Sequence, residues 1–283
     1  KYNYFKDQID SKIANIFNID NFIKGAIIFS IGFIKKVYLA HNLSIYVDKG
    51  FENLNELNVI TAWITSFSFL FQFYFDFSAY VDMALGCALM MNIVLPKNFN
   101  SPLKATNMID FWQRWHITLT NFLMNYVYYP ILASKKDFLA SRKNLTFGFS
   151  MMVTLFVFLL AGFWHGPDWT FLFFGLLHGL GIIFNHIVAK FFGFKLNRII
   201  SILLTLTYVN ITFIFFRSQN IDEGFNFIEK MFFNIDFNNF FELFHIDVTQ
   251  NSFHYSIFII SIVTIFFFKN SNQINLDKFI NKN

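Results

Sequence analysis

The 283-residue sequence predicts an all-α, polytopic membrane protein of about six or seven apolar helices, with one amphipathic or re-entrant helix among them. Three observations lead there. Hydrophobic residues make up 55% of the chain and charged residues only 14%, against roughly 25% charged in soluble domains, so groups to cover a water-facing surface are lacking. The apolar residues come in blocks close to the ~20 residues a helix needs to cross the hydrocarbon of a bilayer. Strict alternation over ~10-residue segments, the mark of a membrane barrel, is missing. Helices are then the expected form, because in lipid each backbone N–H and C=O must be paired internally.

Residues 22–40 form the first apolar stretch, with Lys24, Lys35 and Lys36 near enough to its ends to reach the interface. Residues 57–75 contain no Asp, Glu, Lys or Arg, and the same holds for 145–164, 169–189, 199–216 and 251–268. Residues 83–96 are apolar but short, which suits a partial span or a re-entrant piece. Between 97 and 135 the character changes: Lys97, Lys104, Asp110 and Arg114 interrupt the aromatics, and Pro102 interrupts the chain. From Asn107 onward Ile109, Trp112, Trp115 (or His116) and Leu119 recur at helical spacing. That pattern predicts an amphipathic helix lying in the interface or dipping into the protein.

The lone Cys87 excludes an internal disulfide and is expected to be a small buried hydrophobe. The net charge of +4 reads as an orientation signal for membrane insertion, and no nucleic-acid partner is expected. Lys135, Lys136, Arg142 and Lys143 crowd one loop; Lys190, Lys195 and Arg198 crowd another, two spans later. Both loops therefore fall on one face, the cytoplasmic one by the positive-inside rule. Asp222, Glu223, Glu229, Asp236, Glu242 and Asp247 fall opposite. A biased codon supply is one explanation for the 45 phenylalanines, which carry no functional reading. With no repeat and no Pro- or Ser-rich linker, residues 1–283 are expected to form one membrane-embedded domain. The first residue is Lys1 and no leader-like segment precedes the body, so a fragment lacking upstream helices is expected.

Ionisable groups at membrane depth are costly and tend to be functional. His165 lies between two apolar runs in Gly162-Phe163-Trp164-His165-Gly166-Pro167-Asp168-Trp169, where Gly162, Gly166 and Pro167 are expected to break the helix. A neutral imidazole there suits proton abstraction from a hydroxyl; an interfacial histidine satisfied by a neighbouring carbonyl suits the spacing equally. His116 sits in Phe111-Trp112-Gln113-Arg114-Trp115-His116, and on a continuous helix Trp112 and His116 would share a face. The aromatic wall beside His116 could shape a pocket or a tunnel mouth, or belong to an interfacial aromatic belt. Arg114 could clamp a phosphate or carboxylate, or face lipid headgroups. His178 and His186 are eight apart on one apolar segment, which favours packing or polar lining over a metal site, and HExxH is absent. Asp76 and Asp82 flank Ser78 and Tyr80 and suggest a polar seam at a helix end, or simply a cap.

In order along the chain stand Gly32-Phe33-Ile34-Lys35-Lys36-Val37, Phe75-Asp76-Phe77-Ser78-Ala79-Tyr80-Val81-Asp82-Met83-Ala84 and Asn98-Phe99-Asn100-Ser101-Pro102. Phe111-Trp112-Gln113-Arg114-Trp115-His116-Ile117-Thr118-Leu119 and Phe163-Trp164-His165-Gly166 follow, then Trp169-Thr170, His178-Gly179 and Phe215-Phe216-Arg217. Each is weak alone, but the ordered set, covering roughly residues 22–232, resembles the membrane-bound O-acyltransferase family. The branch it resembles most contains the membrane subunit of alginate O-acetylation; the D-alanyl transfer protein of teichoic acid synthesis is a more distant cousin. Ala79 stands where a glycine is common and Gln113 where a second arginine is common.

The resemblance implies catalytic roles for His165 and His116, and a fold with further helices upstream. It implies transfer of an acyl group, most readily acetyl, from a thioester donor (acetyl-CoA or an acyl carrier) to a hydroxyl, with no bound cofactor and no metal. Trp112, Arg114, Trp115, Trp164, Asp76, Asp82 and His178 are expected to line the substrate path. The implied setting is the bacterial inner membrane, with membrane lipid around the protein, an extracytoplasmic acetyltransferase- or esterase-like partner and a cell-envelope polysaccharide as acceptor. Two other readings remain open: a transporter or channel for a lipid-linked or sugar substrate, and an inactive scaffold subunit.

Overall fold

Asparagines set several of the helix starts. Asn18, Asn58, Asn107, Asn197 and Asn220 each accept a backbone N–H from the first turn that follows, which satisfies one of the amides a helix leaves unpaired. The computed structural model describes residues 2–10, 17–135, 137, 142–193, 196–233 and 248–273. Lys136, Lys195, Asp236, Glu242 and Asp247, used above for topology, lie outside the described residues. Helix α1 (Tyr2–Ile9) precedes α2 (Ile19–Ile34), which runs through a π-helical turn (Lys35–Ala40) into α3 (His41–Glu52). The long α4 (Val59–Met90) follows. Three short helices come next: α5 (Met108–Arg114), α6 (Ile117–Leu123) and, after a second π-helical turn (Met124–Tyr128), α7 (Tyr129–Ala133). The chain continues through α8 (Lys143–His165), α9 (Trp169–Phe191), α10 (Arg198–Arg217), α11 (Ile221–Phe232) and α12 (Val248–Phe267).

Among the described residues α8, α9 and α10 are long and apolar enough to cross a membrane, three helices where the sequence predicts six or seven. The reduction has local causes. Nothing between Val59 and Met90 stops a helix, so the apolar stretch at 57–75 continues through Asp76 and Asp82 into the short run expected as a separate piece. The stretch at 22–40 carries three lysines and turns π-helical at Lys35. Asp76 and Asp82 consequently sit inside a helix instead of capping one. Lys35 and Lys36 do not simply reach out to the interface: Lys35 pairs with Asp82 at 2.6 Å, and Lys36 pairs with Asp76. Ser271, from a short turn near the C-terminus, donates to the other Asp82 oxygen at 2.7 Å. Cys87 is exposed, a correction to its expected burial.

Glycines bring the long helices together. A Cβ on Gly25 would stand 2.6 Å from the Gly86 carbonyl, and one on Gly32 would stand 2.8 Å from that of Ala79, so α2 and α4 touch backbone to backbone. Gly162 lies within α8 instead of breaking it; with Gly175 it forms the equivalent contact between α8 and α9. Small residues at such crossings let apolar helices approach where lipid supplies no hydrophobic drive. The turn between them places His165 at one end of the hairpin, with Lys143 and Lys190 at the other. Helix α11 closes the fold with Gly224, Phe227 and Met231 buried; Phe227 stacks on Phe51 at 4.6 Å. Asp222, Glu223 and Glu229, among the acidic residues expected opposite the basic loops, belong to this helix.

The two ion pairs on α4 provide a test. Lys35 and Asp82 are nearly buried, whereas Lys36 and Asp76 are about half exposed. Lys35→Met should cost about 3–5 kcal/mol by stranding a buried charge, and Lys36→Met at most about 1 kcal/mol. Unfolding of the two variants in detergent measures the difference, and equal losses would refute it.

Candidate active site

The site is built where α5 ends. A continuous helix would have put Trp112 and His116 on one face, but the helix breaks: Trp115 is extended and His116 adopts φ 44°, ψ 51°, the left-handed region. A non-glycine residue there carries strain of about 1–3 kcal/mol and persists only where its surroundings dictate it. Here residues 98–100 dictate it. The Asn100 N–H donates to the Arg114 carbonyl at 2.9 Å, and the Ile117 N–H donates to the Asn98 carbonyl at 3.0 Å. This strap bridges both sides of the break. Trp112 and His116 are thereby sent to different neighbours.

The His116 ring packs edge-on against Phe77 at 4.9 Å and against Trp164 at 6.4 Å. Its Nδ1 lies 3.2 Å from Asn98 Oδ1. Burial, with the neighbouring His165 adding to it, pushes His116 down to about 4, so its imidazole is neutral at pH 7. His165 ends α8. Its ring touches Trp164 at 5.0 Å, Phe216 at 5.2 Å, and Phe174 and Phe171 at 6.3 and 6.5 Å. Among the described residues its ring nitrogens have no hydrogen-bond partner, and the side chain is half-buried. Trp164 thus stands between two imidazoles from different elements and is itself 61% exposed.

Trp112 points elsewhere. Its indole N–H donates to His178 Nδ1 at 3.2 Å, and His178 Nε2 lies 2.8 Å from Thr212 Oγ1, which in turn donates to the Val209 carbonyl. An indole only donates, so His178 must accept at Nδ1 and carry its proton on Nε2. This histidine is wholly buried and ties α5, α9 and α10 together. Trp115 belongs to the core, stacked on Phe111 at 5.5 Å and Phe73 at 5.9 Å. Arg114 pairs with Asp110 at 2.6 Å and reaches the Asn100 carbonyl. Asp76 precedes Phe77, which touches His116, while Asp82 lies farther along α4 in its ion pair. Among the described residues no cluster of His, Cys, Asp or Glu is arranged to hold a metal.

A cavity of about 1160 Å³ lies between the start of α5 and the far halves of α9 and α10, lined in part by Asn107, Asp110, Phe184, Asn185, Arg198 and Tyr208. It sits toward the Lys190 end of the hairpin, so α5 extends from this cavity toward His116 and its contact with Trp164. Sequence reasoning assigned nothing to Thr212 or Asn98. Thr212 gives no sequence signal, being 34 residues from His178; Asn98 lies in the Asn98-Phe99-Asn100-Ser101-Pro102 stretch, whose spacing does not point to His116.

Comparison with known proteins gives a consistent result. Residues 1–221 match the membrane-bound O-acyltransferase family. The chain is 42% identical over 228 residues to a peptidoglycan O-acetyltransferase of Helicobacter pylori, covering 79% of this chain and 41% of the relative. It is 31% identical to a probable alginate O-acetylase of Azotobacter vinelandii (81% and 44%) and 26% identical to a teichoic acid D-alanyltransferase of Bacillus subtilis (67% and 49%). The chain therefore spans less than half the length of these curated relatives. With its helical bundle, its apolar spans and a family match over residues 1–221, the chain belongs to the membrane-bound O-acyltransferase family.

Proposed function

We propose that the protein transfers an acyl group, most readily acetyl, from a thioester donor to a hydroxyl of a bacterial cell-envelope polysaccharide, directly or by relay across the inner membrane. One observation carries this reading: two imidazoles from separate elements meet around Trp164 among aromatic rings, one of them with both ring nitrogens free of described protein partners. His165 takes the proton of the acceptor hydroxyl, the oxygen attacks the thioester carbonyl, the C–S bond breaks, and the leaving thiolate takes the proton back from His165. His116 orients donor or acceptor. A positioned base contributes about 10²- to 10⁴-fold, and alignment of the two substrates supplies much of the rest.

The donor, acetyl-CoA or an acyl carrier, approaches from the basic cytoplasmic end, where the cavity beside Arg198 lies. Trp112, Arg114 and Trp115 shape that side through α5. Helices α2, α4 and α12 complete six crossings, with the Lys35–Asp82 pair cancelling charge inside the bundle. Identity to the Helicobacter pylori protein supports peptidoglycan as the acceptor. An extracytoplasmic esterase-like partner places the group where relay is used.

In cells producing the full-length protein, His165→Ala should abolish O-acetylation, and His116→Ala should lower it by about 10²-fold or more. Mass analysis of the envelope glycan reads both, and unchanged acetylation at normal expression would sink the assignment. Turnover of a labelled acyl donor by purified protein distinguishes bond cleavage from transport.

His116 also gives a pH signature. The unfolded chain binds its proton near 6.5, whereas in the folded protein the value is about 4. Between these values the unfolded state holds more protons, so the stability this ring contributes is complete above about pH 6.5 and is lost as pH falls toward 4. Thermal unfolding in detergent should decline more steeply over that window in the wild type than in His116→Gln. Parallel curves would count against the buried, neutral ring.

A further inference from the structure

Helix α6 starts at His116, yet the His116 side chain makes no capping bond to it. The exposed amides at its start are met from eighteen residues upstream. The Asn98 backbone carbonyl accepts the Ile117 N–H at 3.0 Å, and Asn98 Oδ1 accepts the Thr118 N–H at 3.0 Å and the Thr118 hydroxyl at 2.9 Å. Asn98 is itself buried, so these bonds are shielded from water. A backbone N–H can only donate. The atom it meets must therefore be the amide oxygen, and the usual ambiguity between the oxygen and nitrogen of an asparagine does not arise. The same oxygen faces His116 Nδ1 at 3.2 Å. An acceptor opposite Nδ1 requires the ring proton there, and a neutral imidazole has only one.

We propose that Asn98 is a positioning residue that caps α6 from a distance and thereby holds His116 as its Nδ1–H tautomer, leaving the Nε2 lone pair as the acceptor offered to the site. Freed from capping its own helix, the left-handed His116 can present its ring to Phe77 and Trp164. The function of Nε2 rests on the acyl-transfer reading above; the tautomer does not. A hydrogen bond accepted at Nε2 would orient the acceptor hydroxyl or the donor's amide N–H, and the opposite tautomer would present a donor at that point.

The test uses the full-length protein labelled with ¹⁵N-histidine in detergent, with the His116 signals identified by their loss in His116→Gln. The wild type should show Nδ1 protonated and Nε2 unprotonated. Asn98→Ala should give a mixture of tautomers and lower kcat by about 10²-fold, the low end for a positioned acid–base group, with KM within about twofold. Asn98→Asp keeps acceptors for the same three donors; it should keep the Nδ1–H form and recover most of kcat. Thr118→Val removes one capping bond alone and should leave the tautomer unchanged. A wild-type ring protonated on Nε2 overturns the proposal, as does an Asn98→Ala variant with unaltered tautomer and kcat. If Asn98→Ala does not fold, the wild-type and Asn98→Asp spectra decide. If the tautomer is as stated but His116→Ala acetylates normally, the role of His116 in acyl transfer fails while the placement by Asn98 stands.

Discussion

The indole of Trp112, the ring of His178 and the hydroxyl of Thr212 form a chain that permits one direction of donation. Trp112 donates to Nδ1, Nε2 donates to Thr212, and Thr212 donates to the Val209 carbonyl. In an apolar interior an unpaired donor or acceptor costs about 1–3 kcal/mol, so each link is lost if the helices shift. A seven-residue helix such as α5 has too few turns to be stable by itself; its depth and rotation are set by this buried anchor. Met108 adds a second fix at the other end, its backbone N–H donating to Asn185 Oδ1 at 2.7 Å. With both ends tied to α9, the break after Arg114 falls beside the end of α8. His116 meets Trp164 because Trp112 is held elsewhere.

The aromatic side chains make that arrangement stiff. Phe213 contacts Phe69, Phe73, Trp115, Phe174 and His178 from a single position on α10. Edge-to-face pairs of this kind contribute about 0.5–1.5 kcal/mol beyond area burial, and they constrain ring orientation as well as distance. Phe216, one helical turn on, carries the same cluster to His165 at 5.2 Å. Whatever the origin of the phenylalanine excess, in the described core these rings join the buried anchor to His165.

Helical class, membrane character and the histidine pair were legible in the sequence, because apolar block length and ordered motifs are local properties. The break at His116 was not. Its cause is a strap of residues 98–100 that spacing within 107–119 cannot reveal, so an i, i+4 argument joined Trp112 to His116 when the fold separates them. The same limitation applied to Asp76 and Asp82. Their partners are lysines 40 and 47 positions away, presented by a π-helical turn with no sequence mark. Gly162 misled in the opposite sense: it signals close helix approach, and a sequence alone does not distinguish that from a break.

The two histidines differ in how firmly each is held, and that difference bears on their proposed roles. A general base must exchange partners during turnover, accepting a proton from one group and releasing it to another. His165 is confined by rings, which fix where the imidazole lies without occupying either nitrogen. Its reorganisation on taking a proton involves no bond to a described residue. His116 is held by backbone on both sides and by an amide oxygen at Nδ1, so its ring is fixed in orientation by a network that also starts a helix. Burial disfavours the charged ring and keeps it neutral. A fixed, neutral imidazole suits orientation and a loosely bonded one suits proton transfer, so the proposed division of labour matches how the chain restrains each ring.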